Sequence, residues 1–347
     1  MDAVASPSQA RAAPASSGDD ALNTLATLLQ PDLEACNRAI VARMDSPVAL
    51  IPQLAAHIVA AGGKRLRPLL TLAAARLCGY SGDSVGGRHV MLAACVEFIH
   101  TATLLHDDVV DESLLRRGLA SANAVFGNQA SVLVGDFLFA RAFQVMVEDG
   151  SLVVLSILSR AAATIAEGEV MQLVTQHDLA TSEARYLEVI KAKTAALFAA
   201  ACEVGAAVAN RPESEAAALA EYGMNLGIAF QLVDDALDYA ADQAVLGKTV
   251  GDDFREGKIT LPVLVAYQAG GTADREFWRR TIEVTEQNEA DLDRALHLMD
   301  RCGAIRATLE RATGFAATAK AALGPFAESA LRRALMDVAD YTVSRAR

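Results

Sequence analysis

The sequence predicts an all-α fold, and three observations support this prediction. The chain of 347 residues is 52% hydrophobic and 21% charged, so it can bury a large core. Alanine and leucine recur throughout and aromatic residues make up only 5%, a composition that favours helices over strands. From Ala21 onward, apolar residues recur at helical spacing, and no long stretch alternates with period two.

The N-terminal segment differs from the rest of the chain. Residues 1–20 are rich in Ala, Ser and Pro, carry one basic residue, Arg11, and lack the apolar core of a secretory signal. We predict a disordered tail here and a single helical domain over residues 21–347. Breaks at Gly and Pro divide that domain into helices, of which long ones are predicted at residues 47–61, 88–115, 128–148, 152–175, 181–209 and 213–239.

Bulk charge and cysteine content narrow the class of function. A net charge of −12 argues against a nucleic-acid partner, because phosphate backbones favour clustered Lys and Arg. It does not exclude anionic substrates where local cations reverse the field. The five cysteines are scattered and form no CxxC pair, which is typical of a reduced, cytoplasmic protein. The most apolar runs, residues 132–147 and 151–166, are interrupted by charged residues, so no transmembrane segment is predicted.

An acidic motif with DDxxD spacing lies near the end of the helix predicted at residues 88–115. Asp107, Asp108 and Asp111 follow an apolar run, and helical geometry places Asp111 on the same face as the other two. Like charges at this spacing repel each other, so a cation should compensate them. Mg²⁺ suits this role, because it takes one or two carboxylates and fills its remaining positions with water and phosphate oxygens. A single such motif could also be an ordinary solvated acidic face.

A second copy of the motif argues against that ordinary interpretation. Asp234, Asp235 and Asp238 repeat the DDxxD spacing at the end of another long apolar helix. Two acidic clusters that end two buried helices could face each other across one cavity. Their six carboxylates would then be able to hold several metal ions around one diphosphate.

Basic residues occur where a second diphosphate would need them. Lys64 and Arg67 lie in residues 62–68, a helix break where glycine permits close backbone approach and Arg offers a bidentate fork for phosphate. His100 and Thr103 share the helix face of Asp107. Each cation alone would be interpreted as a surface residue, but together with the acidic motifs they indicate a metal and phosphate site. The remaining candidates are Arg116, Arg117, Lys193, Thr194, Lys248 and Lys258.

The run of residues 97–118, which contains the first acidic motif, resembles the first aspartate-rich motif of bacterial octaprenyl and related long-chain polyprenyl diphosphate synthases. Supporting segments are residues 62–68, 127–137, 167–173, 193–194, 230–239 and 246–262, so the resemblance spans the chain from about Ala21 onward. It implies an isoprenoid synthase-like fold, which is an orthogonal bundle of long antiparallel helices around a deep central cavity. It also implies a homodimer.

The resemblance further implies a reaction and a role for each motif residue. Isopentenyl diphosphate would be added repeatedly to an allylic diphosphate, such as farnesyl diphosphate, in a Mg²⁺-dependent prenyl transfer. The ligands of roughly two to three Mg²⁺ ions would be Asp107, Asp108, Asp111, Asp234, Asp235 and Asp238. The allylic diphosphate would meet Arg116, Lys193, Thr194, Gln231, Lys248 and Lys258, and isopentenyl diphosphate would meet Lys64, Arg67, His100 and Arg117. The residues expected to be catalytic are Asp107, Asp108, Asp111, Lys193 and Asp234.

The residues before the first motif bear on product length. Ala102 and Thr103 are small, whereas short-chain members of the resembled family often have an aromatic residue at these positions. Small residues leave a tunnel open, and a bulkier residue about one turn (~5.4 Å) further away, such as Phe98, would set the final limit. By resemblance we expect a product of octaprenyl to decaprenyl length. Its expected use is as a side chain of ubiquinone or another quinone, after delivery to a membrane.

Three other interpretations of the sequence differ in product or reaction. A geranylgeranyl-type synthase would make a shorter product. A class I terpene cyclase also ionises an allylic diphosphate with Mg²⁺, but it usually carries an Asn/Ser/Glu-type second motif, whereas this chain has a second DDxxD. A non-catalytic partner subunit of a prenyltransferase typically lacks aspartates from one motif, and here both motifs are complete.

Overall fold

The computed structural model describes residues 19–60, 62–82, 86–116, 118–240 and 250–345. The predicted tail lies outside this part of the chain, except that Asp19 and Asp20 already belong to the first helix. The all-α prediction is confirmed. The α-helices are α1 (Asp19–Leu28), α2 (Gln30–Arg43), α3 (Leu50–Ala60), α4 (Leu66–Leu77), α5 (Arg88–Val110), α6 (Ala122–Phe126), α7 (Asn128–Asp149), α8 (Leu152–Thr175), α9 (Glu183–Ile190), α10 (Ala196–Val208), α11 (Glu213–Ala240), α12 (Asp252–Arg255), α13 (Leu261–Ala269), α14 (Thr272–Trp278), α15 (Asp291–Cys302), α16 (Ala304–Ala322) and α17 (Ala330–Ser344).

Short irregular elements accompany these helices. Two π-helical segments span Lys191–Ala195 and Arg279–Glu283. The antiparallel strands β1 (Leu115–Arg116) and β2 (Leu119–Ala120) form a hairpin after α5.

Local sequence signals set several of the helix ends. The side chain of Ser151 accepts the backbone N–H of Val154 at the start of α8, and Ser182 and Ser329 cap α9 and α17 in the same way. Gly150 ends α7 in the left-handed conformation, with a φ of 75°, which glycine adopts without strain. Because these signals are local, the predicted boundaries of α7 and α8 agree closely with the structure.

Two observed helices depart from their predicted form close to predicted site residues. The helix predicted at residues 88–115 stops at Val110, because Asp111 is its C-terminal cap and Glu112 takes a left-handed conformation with a φ of 49°. The helix predicted at residues 181–209 consists of α9, the π-helical segment Lys191–Ala195 and α10. Single π-helical turns inside α-helices occur frequently at functional sites.

The main hydrophobic core lies between α4, α5, α10 and α11. Gly205 of α10 allows the close approach of α4, since a Cβ there would lie 2.5 Å from the Cβ of Ala74. Phe98 and Phe198 are fully buried in this core, and truncation of such a phenylalanine to alanine costs about 3–5 kcal/mol. Because α10 contacts both α5 and α11, it fixes the relative position of the two helices that end in the acidic motifs.

A second hydrophobic cluster lies in the C-terminal part of the chain. Phe277 and Trp278 of α14 pack against Phe254 of α12, with ring centroids 6.5 and 6.1 Å from that of Phe254. Ile282 and Met299 are also buried in this cluster. The cluster supports the short helix α12, which immediately precedes the segment containing Lys258.

Two of the described helices are long and apolar enough to span a membrane by length and composition alone. In α5 the most apolar window is 72% buried within the protein, which is typical of a core helix. In α7 the corresponding window is only 39% buried, so this helix presents an apolar face that the described part of the chain leaves uncovered. The absence of a transmembrane segment stays a prediction for α7.

Candidate active site

A cavity of about 730 Å³ lies where the C-terminal ends of α5 and α11 meet. The basic turn, which we define as residues 62–68, contributes residues 63–67 to the lining, and α8, the π-helical segment Lys191–Ala195 and α17 form further walls. The structure brings most of the predicted residues together around this one space. Those that line it are Lys64, Arg67, His100, Thr103, Asp107, Asp111, Arg116, Lys193, Thr194, Gln231, Asp234, Asp235, Asp238 and Lys258.

Two aspartates of the first motif face the cavity, and lysines from distant elements lie beside them. Lys193 Nζ lies 3.8 Å from Asp107 Oδ2, and Lys258 Nζ lies 3.0 Å from Asp111 Oδ2. Burial raises the pKa of Asp107; Lys193 counteracts this effect, and the Asp111 carboxylate adds to it. Both carboxylates also lie at the C-terminus of α5, where the helix dipole is negative. This end of the cavity is therefore prepared for cations.

Asp108, the middle aspartate of the first motif, is turned away from the cavity lining and is almost fully buried. Its carboxylate accepts hydrogen bonds from Arg116 on both oxygens: Nη2 lies 2.5 Å from Oδ1, and Nε lies 3.0 Å from Oδ2. Asn123 Nδ2 donates to the carbonyl oxygen of Asp108 at 3.0 Å. Asp108 thus anchors the β1–β2 hairpin to α5. The structure places it beside a protein cation, while its predicted support of a metal stays a prediction.

The second motif has a different arrangement. Asp234 Oδ1 lies 2.8 Å from Arg345 Nη2, at the end of α17. Asp235 is buried and accepts hydrogen bonds from Tyr186 Oη at 2.5 Å and Gln231 Nε2 at 2.7 Å. Burial, together with the nearby charge of Asp253, raises the pKa of Asp235 to about 7.

The last aspartate of the second motif has a structural contact of its own. Asp238 Oδ2 accepts the backbone N–H of Asp253 at 3.1 Å, and the carbonyl oxygen of Asp238 accepts the N–H of Gly251 at 2.8 Å. These bonds attach the start of α12 to α11. One oxygen of Asp238 is therefore already engaged, and its predicted role as a metal ligand stays untested.

The π-helical segment Lys191–Ala195 presents two site residues on neighbouring positions. Gly168 of α8 lets this segment approach closely, since a Cβ there would lie 2.5 Å from the backbone nitrogen of Lys193. Lys193 Nζ lies 2.6 Å from Glu169 Oε2 of α8, and Thr194 Oγ1 donates to Gln231 Oε1 of α11 at 2.8 Å. The segment therefore connects α8 to α11 across the cavity.

Glu169 adds a carboxylate to this wall. Burial raises its pKa to about 7, and the charge of Asp107 adds to the effect, although Lys193 opposes it. The pKa of Lys193 is raised in turn, because the carboxylates of Asp107 and Glu169 outweigh the burial that acts to lower it. Lys193 thus bridges two carboxylates from two helices.

Lys258 resembles Lys193 in its surroundings. Its Nζ lies 3.0 Å from Asp111 Oδ2 and 2.5 Å from Glu256 Oε2. Burial acts to lower the pKa of Lys258, but the charges of Asp253, Asp111 and Glu256 raise it well above its ordinary value. The lysine is therefore charged at neutral pH and lies opposite the first motif.

The basic turn has an unusual backbone that directs its side chains. Gly62 has a φ of 67°, and Arg65, which is not glycine, has a φ of 48°. Arg65 pairs with the buried carboxylate of Glu97 on α5. Arg67 Nη1 lies 3.1 Å from His100 Nε2, and Lys64 Nζ donates to Tyr341 Oη at 2.5 Å. The basic turn thus places the side chains of Lys64, Arg65 and Arg67 along one wall of the cavity.

Apolar residues form the rest of the wall, including Leu104, Val189, Ile190, Phe198, Phe230, Leu237 and Ile259. Thr103, one of the predicted chain-length residues, lines the cavity, and its hydroxyl donates to the carbonyl oxygen of His100 at 2.8 Å. Ala102 and Phe98 are fully buried in the core beside it. Such a wall shields a reactive cation from water.

The set of site residues differs from the predicted set in two ways: two predicted residues are not described, and several residues of the site were not predicted. Arg117 and Lys248 lie outside the described residues. Glu169 and Asp253 were visible in acidic segments but had no assigned role, and the helix-packing Gly168 next to Glu169 was a signal that could have indicated one. Tyr186 and Arg345, which contact the second motif, carry no signal in their local sequence.

Comparisons with known proteins agree with this geometry. Residues 48–299 match the family described as Polyprenyl synthetase. The chain is 47% identical over 326 residues to the octaprenyl diphosphate synthase of Escherichia coli (strain K12), a match that covers 94% of this chain and 99% of the relative. It is 42% identical over 314 residues to an all-trans-nonaprenyl-diphosphate synthase of Rhodobacter capsulatus, with 90% and 95% of the two chains covered.

Solved structures agree in the same way. A polyprenyl synthase from Caulobacter crescentus CB15, complexed with calcium and isoprenyl diphosphate, superposes with a TM-score of 0.90 and 55% identity, covering 94% of this chain and 98% of the other. A decaprenyl diphosphate synthase from Rhodobacter capsulatus superposes with a TM-score of 0.89 and 53% identity, covering 94% and 99%. The predicted resemblance and the isoprenoid synthase-like fold are confirmed. This chain, a prenyltransferase, belongs to the polyprenyl synthetase family.

Proposed function

We propose that this prenyltransferase is a long-chain all-trans-polyprenyl diphosphate synthase, which adds isopentenyl diphosphate repeatedly to an allylic diphosphate, with farnesyl diphosphate as the proposed primer. The observation that supports it most strongly is that two acidic motifs and the basic turn line one cavity whose remaining wall is apolar. Relatives named as octaprenyl and decaprenyl synthases support a product of that length.

Mg²⁺ is the proposed metal, and the donor set suits it. Asp107, Asp111 and Asp234 present hard oxygen ligands to the cavity, and each lies beside a protein cation. Among the described residues, no group of three His, Cys, Asp or Glu side chains forms a ready-made metal cluster. Mg²⁺ is usually held by one or two carboxylates together with substrate phosphates, and these aspartates supply carboxylates of that kind. When bound, it would neutralise diphosphate oxygens and stabilise the charge of the leaving group.

Lys193 and Lys258 are the proposed side-chain cations for the allylic diphosphate. Both are buried for most of their length and keep their charge beside Asp107 and Asp111. Arg116, Thr194 and Gln231 would contact the same diphosphate. As the allylic group ionises, negative charge develops on the departing diphosphate, and fixed ammonium groups stabilise it.

Lys64, Arg67 and His100 are the proposed contacts for isopentenyl diphosphate. Arg67 lies 3.1 Å from His100 and packs over the Phe198 ring at 4.3 Å, so its guanidinium is held in one direction. The double bond of isopentenyl diphosphate would attack the allylic carbocation, and the adduct would then lose a proton. The released diphosphate is the proposed base.

Thr103 is the proposed side chain at which product length can be changed. It lines the cavity, whereas Ala102 and Phe98 are fully buried beside it. A Thr103→Phe variant should therefore stop elongation early with little effect on the core. Ala102→Phe, by contrast, should overpack the core and cost about 1–3 kcal/mol of stability.

A homodimer formed through α7 and α8 is part of the proposal. Leu133 and Val147 of α7 and Leu152 and Val153 of α8 are each more than 60% exposed in the single chain. Contiguous exposed apolar faces usually mark interfaces. A Leu133→Glu variant should convert the protein to a monomer in light scattering, whereas the similarly exposed Val41→Glu on α2 should not.

The proposed setting is the cytoplasm, with the product passed to a membrane. The product would be a diphosphate with a long apolar tail, which favours a membrane over water. Its proposed use is as the side chain of ubiquinone or another quinone.

Incubation with farnesyl diphosphate, labelled isopentenyl diphosphate and Mg²⁺, followed by chromatography of the dephosphorylated products, tests the proposal. A metal-dependent ladder that ends between octaprenyl and decaprenyl is expected. A ladder that ends at geranylgeranyl would establish the shorter-chain alternative, and the absence of incorporation by folded protein would refute the proposed reaction.

A further inference from the structure

Lys258 reaches the first acidic motif from a short segment that follows α12. The same segment contains Glu256 and Gly257 and lies far along the chain from Asp111. A lysine side chain is a flexible stem with a compact charge, so its direction depends on how firmly its backbone is held. The contacts that hold residues 256–258 therefore act together with the ion pairs to Asp111 and Glu256 in setting where the Lys258 ammonium lies.

The connection between α8 and α9 holds this segment through backbone carbonyls. Gln176 Nε2 donates to the carbonyl oxygen of Glu256 at 2.7 Å, and the His177 N–H donates to the carbonyl oxygen of Gly257 at 3.0 Å. His177 Nδ1 lies 2.9 Å from the carbonyl oxygen of Ile282, an acceptor only, so Nδ1 carries the proton and donates. We call Gln176 and His177, the two residues that make these three bonds, the clasp.

Unusual backbone conformations occur on both sides of the clasp. His177 has a φ of 64° and Gly257 a φ of 67°, both in the left-handed region. Any Cβ on Gly257 would collide with the imidazole ring of His177. A non-glycine residue held in this region costs on the order of 1–3 kcal/mol and persists where surrounding contacts require it. The ring is thus packed directly on the residue before Lys258.

We propose that His177, assisted by Gln176, is a positioning residue for Lys258. The inference rests on the proposed function, in which the Lys258 ammonium faces the allylic diphosphate. Of the two clasp residues, Gln176 lines the cavity and His177 is not among the described lining residues, so His177 is the side chain whose effect on catalysis would be indirect. His177→Ala removes the bond to Ile282 and the ring that packs on Gly257 but keeps the backbone bond to Gly257, so it should leave the charge of Lys258 in place and widen the range of directions in which it points.

Steady-state kinetics of a double-mutant cycle test this role. His177→Ala should lower kcat/KM for the allylic diphosphate about tenfold and leave the KM for isopentenyl diphosphate unchanged, since its proposed contacts lie on the basic turn. Lys258→Ala should have a larger effect. In the Lys258→Ala background, His177→Ala should cause no further loss, because no ammonium remains to be positioned.

The matched control is His297→Ala, an exposed histidine of α15, which should behave as wild type. Additive losses in the double variant would overturn the proposal, and so would wild-type kinetics of His177→Ala or of Lys258→Ala. If His177→Ala does not fold, His177→Asn, which tolerates the left-handed backbone conformation, takes its place in the cycle with the same criteria. Turnover by wild type and His297→Ala tests the proposed function separately, so the two can fail independently.

Discussion

The two acidic motifs share one sequence spacing but differ in what their carboxylates contact. In the first motif, Asp107 and Asp111 lie beside lysines at the cavity, while Asp108 lies outside the lining and pairs with Arg116, which lines the cavity. In the second motif, Asp234 lies beside Arg345 of α17, and Asp235 accepts hydrogen bonds from neutral groups.

In each motif, the side chain of the middle aspartate bonds to other side chains of the protein. Asp108 is buried against the guanidinium of Arg116. Asp235 is buried beside the neutral groups of Tyr186 and Gln231, and burial, together with the charge of Asp253, raises its pKa. The same DDxxD spacing thus supports two different electrostatic arrangements.

The largest effect is expected from removing a carboxylate that faces the cavity. Asp107→Asn should lower kcat by roughly 10³-fold, because a preorganised charge for the diphosphate and its cations is lost. Without metal, the Asp107→Asn variant should be as stable as wild type, since burial and the Asp111 carboxylate disfavour the charge of Asp107. Kinetics and thermal unfolding in EDTA measure both quantities, and a loss of activity below about tenfold would contradict the assigned position.

Substitution of the two middle aspartates should lower the free energy of unfolding by different amounts. Asp108→Asn leaves the partly buried Arg116 without its carboxylate, and breaking such a pair costs about 3 kcal/mol. Asp235→Asn keeps one oxygen acceptor for Gln231, and its amide N–H can donate to the Tyr186 hydroxyl oxygen, so it should cost less than about 1.5 kcal/mol. Urea unfolding of the two variants measures the difference, and equal losses would show that the motifs are electrostatically alike.

The second motif should also make protein stability depend on pH through Asp235. The pKa of Asp235 is raised to about 7 in the folded protein, while an unfolded aspartate titrates near ~3.9. Proton binding therefore favours folding, and this contribution is present below about pH 4 and is lost as the pH rises through about 7. In EDTA, wild type should lose stability relative to Asp235→Asn over this range. Parallel stability curves for the two proteins would disprove this assignment.

The smallest effect is expected at Arg345. Its pair with Asp234 is partly exposed, with side chains 20% and 41% accessible, so solvent screens the interaction. Arg345 also donates to the carbonyl oxygens of Thr342 and Phe230, so a double-mutant cycle with Arg345→Ala and Asp234→Ala is needed to isolate the ion pair. The cycle should give a coupling of about 0.5 kcal/mol in free energy of unfolding at low salt, and less at high salt. A coupling of several kcal/mol, independent of salt, would mean that this contact is a principal support of the second motif.

Much of the fold was predictable because its signals are local. Helical periodicity and caps such as Ser151 and Gly150 placed α7 and α8 almost correctly. The predicted continuation of α5 to residue 115 was wrong, because Arg116 and Asn123 fold back on Asp108 and produce the hairpin. The π-helical turn in the predicted helix 181–209 was also missed, since it accompanies the packing of Gly168 against Lys193.

The sequence by itself determined that the chain is helical, that six aspartates form two motifs, and that cations accompany them, because periodicity and residue chemistry are properties of nearby positions. The tertiary structure alone decided which oxygens face the cavity. Tyr186 and Asp235 are 49 residues apart, and Lys258 and Asp111 are 147 apart. Helical spacing fixes the face of a side chain but not the partner that the packed core brings to it.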